Sequence, residues 1–374
     1  MKKILFLIHA LNPAGAQRIL VELVNNMDFE KFDITVQTIY DTGELRYELD
    51  PRIHYKTIAK LKNNKSDILR KYLYRRILWP KYIYEKFISD TYDYEVAFLE
   101  GEPTKLIAVP SKTPVKKIAW VHTSLLHNFS SQKLYKSISD YKHAYEIFDK
   151  IICVSKSAEN DFIKRFGFFN NINVKYNPLN DALIEEKSRK PIEEYTTPKQ
   201  HFLNMVAVGN MRPEKRYDRL LKACKLLKNY TVNFCLTIIG NGSEFEFITE
   251  LQKKLDVSDC VQILGEKSNP YPYMKNADIL VSSSDVEGYS TVAVEACLLG
   301  TPVLATDNDG MKEVLNNGEW GILAPKSEEG LYKAMKKLIE DPSKLHMYKE
   351  KLKEYKNNFS FKKRIIEIEE LFGE

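Results

Sequence analysis

Short runs of hydrophobic residues alternate with amphipathic stretches along most of this chain. Residues 3–8 and 202–208 are predominantly hydrophobic, which is the pattern of strands buried on both faces of a parallel sheet. After the first run, Leu20, Leu23 and Val24 recur at helical spacing, which indicates a helix that buries one face. Repeated alternation of this kind predicts an α/β fold.

The alternation occurs in two series, separated by a segment of different character. Residues 181–200 are rich in charge, contain Pro191 and Pro198, and show no hydrophobic periodicity, so we predict a linker there. The expected fold is two Rossmann-like domains, residues 1–180 and 201–357, which face each other across a cleft that holds the active site. The predicted strands are residues 3–8, 34–39, 94–99, 117–121, 151–154 and 172–175, then 202–208, 233–239, 261–264, 278–281 and 303–305. The predicted helices are residues 16–27, 157–166, 217–227, 243–255, 271–275, 291–299, 328–339 and 361–372.

Composition limits the class of protein. The chain has 374 residues, 44% of them hydrophobic and 29% charged, which are the values of a globular protein with material for two cores. Its five cysteines are widely spaced and form no CxxC pair, as expected for reduced cysteines of a cytoplasmic protein without a zinc site. The hydrophobic N-terminal stretch is too short for a signal peptide, and no stretch is long enough to span a membrane.

The basic residues are concentrated in one segment, residues 56–86. This segment carries ten lysines and arginines against two acidic residues, with five tyrosines and tryptophans among them. Such a mixture suits an anionic membrane surface, where cations meet lipid headgroups and aromatic rings lie at the interface. The alternatives are a solvated lysine-rich helix face and a nucleic-acid contact. We predict the membrane surface as a partner, and no nucleic-acid partner.

The most informative stretch is residues 282–304, where a hydrophobic run ends in three serines before a glycine-containing loop and a hydrophobic helix. In open α/β sheets, ligands bind at the carboxyl ends of strands, where this loop lies. Ser290 or Thr291 can cap the helix, whose free N–H groups then form an anion site. Glu287 precedes the helix and Glu295 lies one turn inside it, so one phosphorylated ligand can contact both carboxylates. Alternatively, Glu287 is solvated and Glu295 forms a structural pair, because a buried carboxylate without a partner is costly.

Other loops of the second domain supply further candidates. Arg212 and Lys215 follow its first strand, where cations can neutralise a diphosphate, although both can equally be solvated loop charges. Gly240 begins a G-x-G without the third glycine of a dinucleotide fingerprint, which argues against NAD. Gly265 and Glu266 follow the next strand.

Two candidates lie in the first domain. Gly15 occupies the turn between the first strand and the first helix, as in βα units that bind phosphates or sugars. His122 falls at the carboxyl end of a predicted strand, on the side expected to face the ligand. The alternative for His122 is a hydrogen-bonded structural histidine.

Together these residues resemble the signature of a known family. The pattern from Glu287 to Glu295, followed by Gly300-Thr-Pro-Val303, is similar to the E-x7-E signature of the retaining glycosyltransferases of group 1, also called family 4. Residues 208–215 are similar to the family's G-R-L-x-x-E-K loop, 11–18 to its N-terminal glycine loop, and 120–122 to its histidine-bearing segment. Residues 269–278 resemble bacterial members that build capsules, lipopolysaccharide or lipid-linked glycans. The resemblance covers nearly the whole chain.

The resemblance implies the two-domain GT-B fold and a retaining transfer of sugar from a nucleotide diphosphate donor. The donor expected most often is a UDP-sugar, and the acceptor is a glycan or lipid-linked glycan of cell-surface polysaccharide synthesis, with no metal and no other cofactor. Glu287 would contact the transferred sugar near His122, these two being the candidate catalytic residues, while Glu295 would bind the ribose. Lys215 and the amides around Ser290 would hold the diphosphate. The candidate donor-binding residues are Gly15, Asn210, Arg212, Lys215, Gly240, Gly265, Glu266, Gly288, Tyr289, Ser290, Thr291 and Glu295.

Two positions depart from the family's pattern. Its usual arginine after the glycine is Asn210 here, so either Arg212 supplies that charge from two positions on or no residue does. Its usual double glycine is Ala14-Gly15. The family's last helix crosses back to the first domain, as residues 358–374 are expected to do. The expected location is the cytoplasm, peripherally at the membrane face. Two alternatives are a sugar-nucleotide epimerase of the same fold and a non-catalytic partner subunit.

Overall fold

The computed structural model describes residues 1–60, 80–88, 91–127, 130–192 and 203–373. The chain forms two compact units, the first made of Met1–Leu179 with Phe361–Glu374 and the second of Asn180–Ser360. Residues 61–79, the larger part of the predicted membrane-binding segment, lie outside the described residues. Within the described ranges, no helix is both long and hydrophobic enough to cross a lipid bilayer.

The first unit contains a parallel sheet of seven described strands in the order β3-β2-β1-β4-β5-β6-β7. The order reverses between β1 and β4, which pair directly from Ile4 opposite Tyr94 to Leu7 opposite Ala97. The strands are β1 Lys2–Ile8, β2 Phe32–Tyr40, β3 His54–Ala59, β4 Tyr94–Ala97, β5 Lys116–Val121, β6 Lys150–Cys153 and β7 Ile172–Val174. The described helices are Gly15–Asn25, Pro80–Phe87, Glu102–Ile107, Ile138–Glu146, Lys156–Phe166 and Phe361–Glu369, with short 3-10 turns at Glu44–Glu48, Ser131–Leu134 and Glu370–Phe372.

The second unit contains a parallel sheet of six described strands in the order β10-β9-β8-β11-β12-β13. Here the reversal lies between β8 and β11, which pair from Ile279 opposite Met205 to Leu280 opposite Val206. The strands are β8 Leu203–Val208, β9 Phe234–Ile239, β10 Val261–Ile263, β11 Ile279–Ser282, β12 Val303–Thr306 and β13 Ile322–Ala324. The described helices are Asp181–Ser188, Tyr217–Tyr230, Phe245–Lys254, Tyr271–Asn276, Thr291–Leu298, Asp309–Val314, Glu328–Glu340 and Ser343–Asn358, with 3-10 turns at Pro213–Lys215 and Asn316–Gly318.

The hydrophobic runs of the sequence form the cores of both units. Ile4 to Ile8 of β1 are completely buried, as a central strand covered on both faces requires. In the second unit, the buried side chains of β8, β9 and β11 pack against the Tyr217–Tyr230 and Glu328–Glu340 helices. Each core therefore holds the loops at the carboxyl ends of its strands in fixed places.

The prediction of a linker at residues 181–200 is wrong for residues 181–188. Asp181–Ser188 is a helix that belongs to the second unit, and the Asn180 side chain caps it by accepting from the amide of Leu183 at 3.0 Å. Lys275 Nζ lies 3.2 Å from Glu185 Oε2, so this helix is tied to the body of the unit. Residues 193–200 lie outside the described part of the chain.

The end of the chain packs on the sheet of the first unit. The completely buried ring of Phe372 lies 6.0 Å from Phe6, 5.9 Å from Phe32 and 5.2 Å from Tyr94, measured between ring centroids. Lys2 Nζ donates to the carbonyl oxygen of Phe372 at 2.7 Å. Residues far apart in sequence therefore complete one core.

Candidate functional site

The loops that follow β8 and β11 meet in the second unit because these strands are neighbours at the point where the strand order reverses. Loops at such a point diverge and leave a crevice at the sheet edge, which is where ligands bind in open α/β sheets. The loop after β8 carries Lys215, and the loop after β11 carries Glu287. The fold therefore brings together two candidates that are 72 residues apart.

Lys215 and Glu287 form an ion pair at the centre of this site. Lys215 Nζ lies 2.6 Å from Glu287 Oε1, and the hydroxyl of Ser284 donates to the same oxygen at 2.7 Å. The Lys215 side chain is 27% exposed and that of Glu287 is 11% exposed. The cation is therefore accessible to an anionic ligand, while the carboxylate is fixed by two donors.

The backbone beneath this pair is fixed by hydrogen bonds between the two loops. Ser283 Oγ donates to the carbonyl oxygen of Lys215 at 2.8 Å, and the amide of Asp285 donates to that of Glu214 at 2.9 Å. A Cβ added to Gly310 would lie 2.3 Å from the carbonyl oxygen of Glu287, so the Asp309–Val314 helix packs directly on the glutamate's backbone. Only glycine permits this approach.

Two glycines after β9 allow a second close approach, to the loop after β8. A Cβ on Gly240 would lie 1.9 Å from the carbonyl oxygen of Gly209, and one on Gly242 would lie 2.3 Å from Asn210 Oδ1. These glycines bring the two loops together rather than forming a dinucleotide fingerprint. Asn210, Arg212 and Glu266 are exposed in the same group of loops, and Gly265 has a positive φ of 69°.

Thr291–Leu298 begins beside these loops and is capped by Ser290. The hydroxyl of Ser290 accepts from the amide of Ala293 at 3.4 Å, which settles the choice between Ser290 and Thr291 as the cap. Inside the helix, Glu295 is half-buried, and Tyr271 donates to its Oε1 at 3.4 Å. Gly288, Tyr289 and Thr291 are half-buried around the helix start.

The candidates of the first unit lie at the carboxyl edge of its own sheet. His122 follows β5, and the carboxylate of Glu100 accepts hydrogen bonds from the amides of His122 and Thr123. The imidazole packs against the ring of Phe98 with centroids 4.7 Å apart, and its Nε2 is buried with no hydrogen-bond partner among the described residues. Gly15 begins the Gly15–Asn25 helix, which has no side-chain cap at Ala14.

His122 is held neutral by its surroundings. Burial lowers its pKa to about 3, although a hydrogen bond to the backbone of Phe98 acts in the opposite direction. Burial also raises the pKa of Glu100, against the backbone hydrogen bonds that this carboxyl accepts. The imidazole is therefore neutral at neutral pH, with one nitrogen that can donate and one that can accept a hydrogen bond.

The low pKa of His122 should make the protein less stable in acid. Between pH 6.5 and about 3 the unfolded chain binds a proton at this ring that the folded chain does not, so the free energy of unfolding falls as the pH falls. The slope is at most about 1.4 kcal/mol per pH unit. We expect His122→Gln to reduce the loss of stability between pH 7 and pH 5 by up to about 2 kcal/mol in urea denaturation. Equal pH dependence of variant and wild type would contradict a neutral His122.

The structure thus places Asn210, Arg212, Lys215, Gly240, Gly265, Glu266, Glu287, Gly288, Tyr289, Ser290, Thr291 and Glu295 in the second unit, and Gly15 and His122 in the first. Sequence reasoning missed Ser284, which donates to Glu287, and Glu100, which fixes the backbone of His122. The triple serine at the strand end was the available signal for Ser284. Glu100 follows β4, the strand next to β5, and its place at a strand end was the corresponding signal.

The chain is similar to known proteins in sequence and in fold. Residues 186–355 match the family model described as glycosyl transferases group 1. The chain is 25% identical over 369 residues to the N-acetylgalactosamine-N,N'-diacetylbacillosaminyl-diphospho-undecaprenol 4-alpha-N-acetylgalactosaminyltransferase of Campylobacter jejuni, with 94% of each chain covered.

Two solved structures illustrate the similarity of fold. Anabaena Alr3699/HepE in complex with UDP and glucose has a TM-score of 0.75 at 18% identity, with 100% of both chains covered. Sucrose-phosphate synthase from Thermosynechococcus elongatus has a TM-score of 0.78 at 16% identity, with 100% of this chain and 98% of that chain covered. The predicted α/β fold of GT-B type is confirmed.

Proposed function

Because residues 186–355 belong to the group 1 glycosyltransferases, as the sequence resemblance indicated, we propose that this chain transfers a sugar from a UDP-sugar to a glycan or lipid-linked acceptor with retention of configuration. The relative from Campylobacter is named for transfer to a diphospho-undecaprenol-linked sugar, and the Anabaena structure contains UDP. The first name supports a lipid-linked acceptor, and the second structure supports a donor that contains UDP. We propose the cytoplasmic face of the membrane as the location of this reaction.

The observation that carries the proposal is the juxtaposition of Lys215, Glu287 and the Ser290-capped helix at one sheet edge. Lys215, 27% exposed, supplies positive charge for the diphosphate, and the free amides of the first helical turn supply donors. Glu287 then faces the sugar, whose anomeric carbon gains positive charge as the diphosphate leaves. Glu295, one turn into the helix, holds the ribose hydroxyls, and Tyr271 orients it.

We propose that the reaction needs no metal ion and no other cofactor. The charge that develops on the leaving UDP is stabilised by Lys215 and the helix terminus, with exposed Arg212 able to reach the same phosphates in place of the arginine that Asn210 replaces. His122, neutral and at the carboxyl end of β5, is proposed to lie near the transferred sugar.

A donor screen tests this proposal. UDP-, GDP- and ADP-sugars are compared by thermal shift in the presence of EDTA, since a ligand that binds only the folded state raises the melting temperature. A ligand present at 100 times its Kd stabilises by about 2.7 kcal/mol, so a UDP-sugar should give a shift of several degrees that EDTA does not reduce. A shift that disappears with EDTA and returns with magnesium or manganese would contradict the metal-independent site.

The product analysis then separates transfer from the alternatives. The donor that binds is incubated with and without a lipid-linked acceptor, and the sugar nucleotide is recovered. Conversion of the donor into its epimer without acceptor would identify an epimerase. Measurable hydrolysis of the donor would exclude a non-catalytic subunit.

We also propose that residues 56–86 attach the enzyme to an anionic membrane. Of this segment the structure describes residues 56–60 and 80–86, and the Pro80–Phe87 helix exposes Lys81, Tyr82, Glu85 and Lys86, with Glu85 paired to Lys112. Lys86 Nζ donates to Tyr82 Oη at 3.2 Å, which places a cation and an aromatic ring together on the surface. This arrangement suits a lipid headgroup layer.

Changing Arg70, Lys71, Arg75 and Arg76 together to glutamine should release the protein from anionic vesicles. Each cation near such a surface contributes about 1 kcal/mol, and the attraction is screened within a Debye length. Co-sedimentation at low and high salt measures the loss, while the thermal shift with donor should not change. The matched control removes four exposed lysines of the second unit, Lys253, Lys254, Lys333 and Lys337. Equal sedimentation of the basic-segment variant and wild type would contradict the proposal.

A further inference from the structure

Asp285 lies two residues before Glu287 and is held between two arginines. Arg216 Nη1 lies 3.0 Å from Asp285 Oδ2, and Arg219 Nη2 lies 2.5 Å from Asp285 Oδ1, so each carboxylate oxygen has its own cation. Arg219 is buried, with only 8% of its side chain exposed, and its Nη1 also donates to the carbonyl oxygen of Ser283 at 3.1 Å. The two arginines therefore connect the segment that follows Lys215 to the loop that bears Glu287.

Arg216 adopts a backbone conformation that side chains usually avoid. Its φ of 51° and ψ of 44° are left-handed, and it is placed directly between Lys215 and the Tyr217–Tyr230 helix. A second carboxylate holds the same guanidinium, because Arg216 Nε and Nη2 lie 2.9 Å and 3.2 Å from the oxygens of Asp218. Left-handed non-glycine residues persist where the surroundings fix them, and they occur often at functional sites.

The charges of this cluster are mutually satisfied. Burial acts to raise the pKa of Asp285, but the hydrogen bonds from Arg216 and Arg219 outweigh burial and lower it. Both arginines therefore form ion pairs with carboxylates of the protein. Lys215, whose partner Glu287 belongs to the proposed reaction, remains accessible to a diphosphate, as does the exposed Arg212.

We propose that Arg216, Asp285 and Arg219 form a positioning triad, which holds the loop of Lys215 at a fixed distance from the loop of Glu287. This inference rests on the proposed function. The triad is assigned the role of aligning Lys215, which binds the diphosphate, with Glu287, which faces the sugar. Transfer requires reacting groups to be held within a fraction of an ångström, so a loss of alignment should reduce turnover more than it reduces binding.

The test compares two isosteric changes that remove one carboxylate charge each. Asp285→Asn removes the charge that joins the loops, whereas Asp218→Asn removes the other partner of the same Arg216 without touching the loop after β11. We expect Asp285→Asn to lower kcat about tenfold while the Kd for free UDP stays within about threefold of wild type. Asp218→Asn should keep kcat within about twofold. A kcat of Asp285→Asn within twofold of wild type, an equal loss in Asp218→Asn, or a parallel loss of UDP binding would overturn the positioning role.

A second readout is independent of the donor and of turnover. Hydrogen exchange followed by mass spectrometry should show faster exchange of the amides of residues 283–290 in Asp285→Asn than in wild type, and no such change in Asp218→Asn. If the wild-type protein turns over no sugar nucleotide, the proposed function fails. The exchange measurement still tests whether the triad fixes the loop of residues 283–290. Unchanged exchange in Asp285→Asn would overturn the triad even in an active enzyme.

Discussion

Glu287→Gln is expected to reduce turnover by about 10- to 150-fold while free UDP binds at least as tightly as it does to wild type. The range corresponds to the loss of a hydrogen bond to a charged group, worth roughly 1.5–3 kcal/mol. Because Glu287 faces the sugar, its contribution should grow as the anomeric carbon becomes positive, and the loss should therefore appear in kcat. UDP binding should not weaken, because the substitution releases Lys215 from an ion pair of 2.6 Å and leaves the cation for the diphosphate.

Glu295→Gln serves as the contrasting variant, because Glu295 lies in the helix that follows the loop of Glu287. Its carboxylate, which accepts from Tyr271, should hold the ribose equally before and during the reaction, so the loss should appear in the affinity for both UDP and UDP-sugar. Calorimetric titration with UDP beside steady-state kinetics separates the two effects. The assignment of roles fails if Glu287→Gln loses affinity for UDP while Glu295→Gln loses only kcat.

Lys117→Met is expected to destabilise the first unit by about 3–5 kcal/mol, because it leaves the carboxyl group of Glu95 buried without its cation. Lys117 Nζ lies 3.6 Å from Glu95 Oε2, and both side chains are at most 5% exposed. Lys117 also donates to the carbonyl oxygens of Ile107 and Val109, while Tyr84 donates to Glu95 Oε1 at 2.8 Å. This cluster ties the Pro80–Phe87 helix to β4 and β5.

Urea denaturation of three variants tests this account. Lys116→Met, at the exposed neighbouring position, should be nearly neutral, and Lys117→Met combined with Glu95→Gln should recover most of the lost stability. Burial raises the pKa of Glu95, and Lys117 opposes that rise. Without the lysine, the folded state should bind a proton more readily than the unfolded chain, so acidification towards pH 5 should restore part of the stability. A loss in Lys117→Met that is independent of pH would indicate a packing defect instead.

The hydrophobic pattern predicted the central strands because a strand covered on both faces must be hydrophobic throughout, as in β1 and β8. It did not predict β3, His54–Ala59, which lies at the sheet edge and is only partly buried, so its sequence contains no such run. The Asp181–Ser188 helix buries only Ile184 and Ser188, too few residues for a detectable period. Its fixed position depends on Lys275, which lies 90 residues further along the chain.

The candidate site residues that lie in loops directly after strands could be predicted from the sequence. Lys215 and Glu287 each lie in a loop after a strand of the second unit, and a parallel sheet brings such loops to one edge. The pairing of Asp285 with Arg219 was not predictable in the same way, because Arg219 is inside a helix, 66 residues away, and looks like an ordinary helix-surface charge. Contacts of that kind depend on the angle at which the helix leaves the loop, and here the left-handed Arg216 sets that angle.

Phe372, which closes the hydrophobic core of the first unit, also has a consequence for the order in which the protein is made. Residues 1–179 emerge from the ribosome long before residue 372 is synthesised. The second unit, Asn180–Ser360, emerges in between. Throughout that interval, Phe6, Phe32 and Tyr94 lack the ring that covers them in the finished chain. Exposed hydrophobic surface on a nascent chain promotes aggregation and recruits chaperones. The second unit is continuous in sequence, whereas the first unit needs residue 372, so the first unit is completed last.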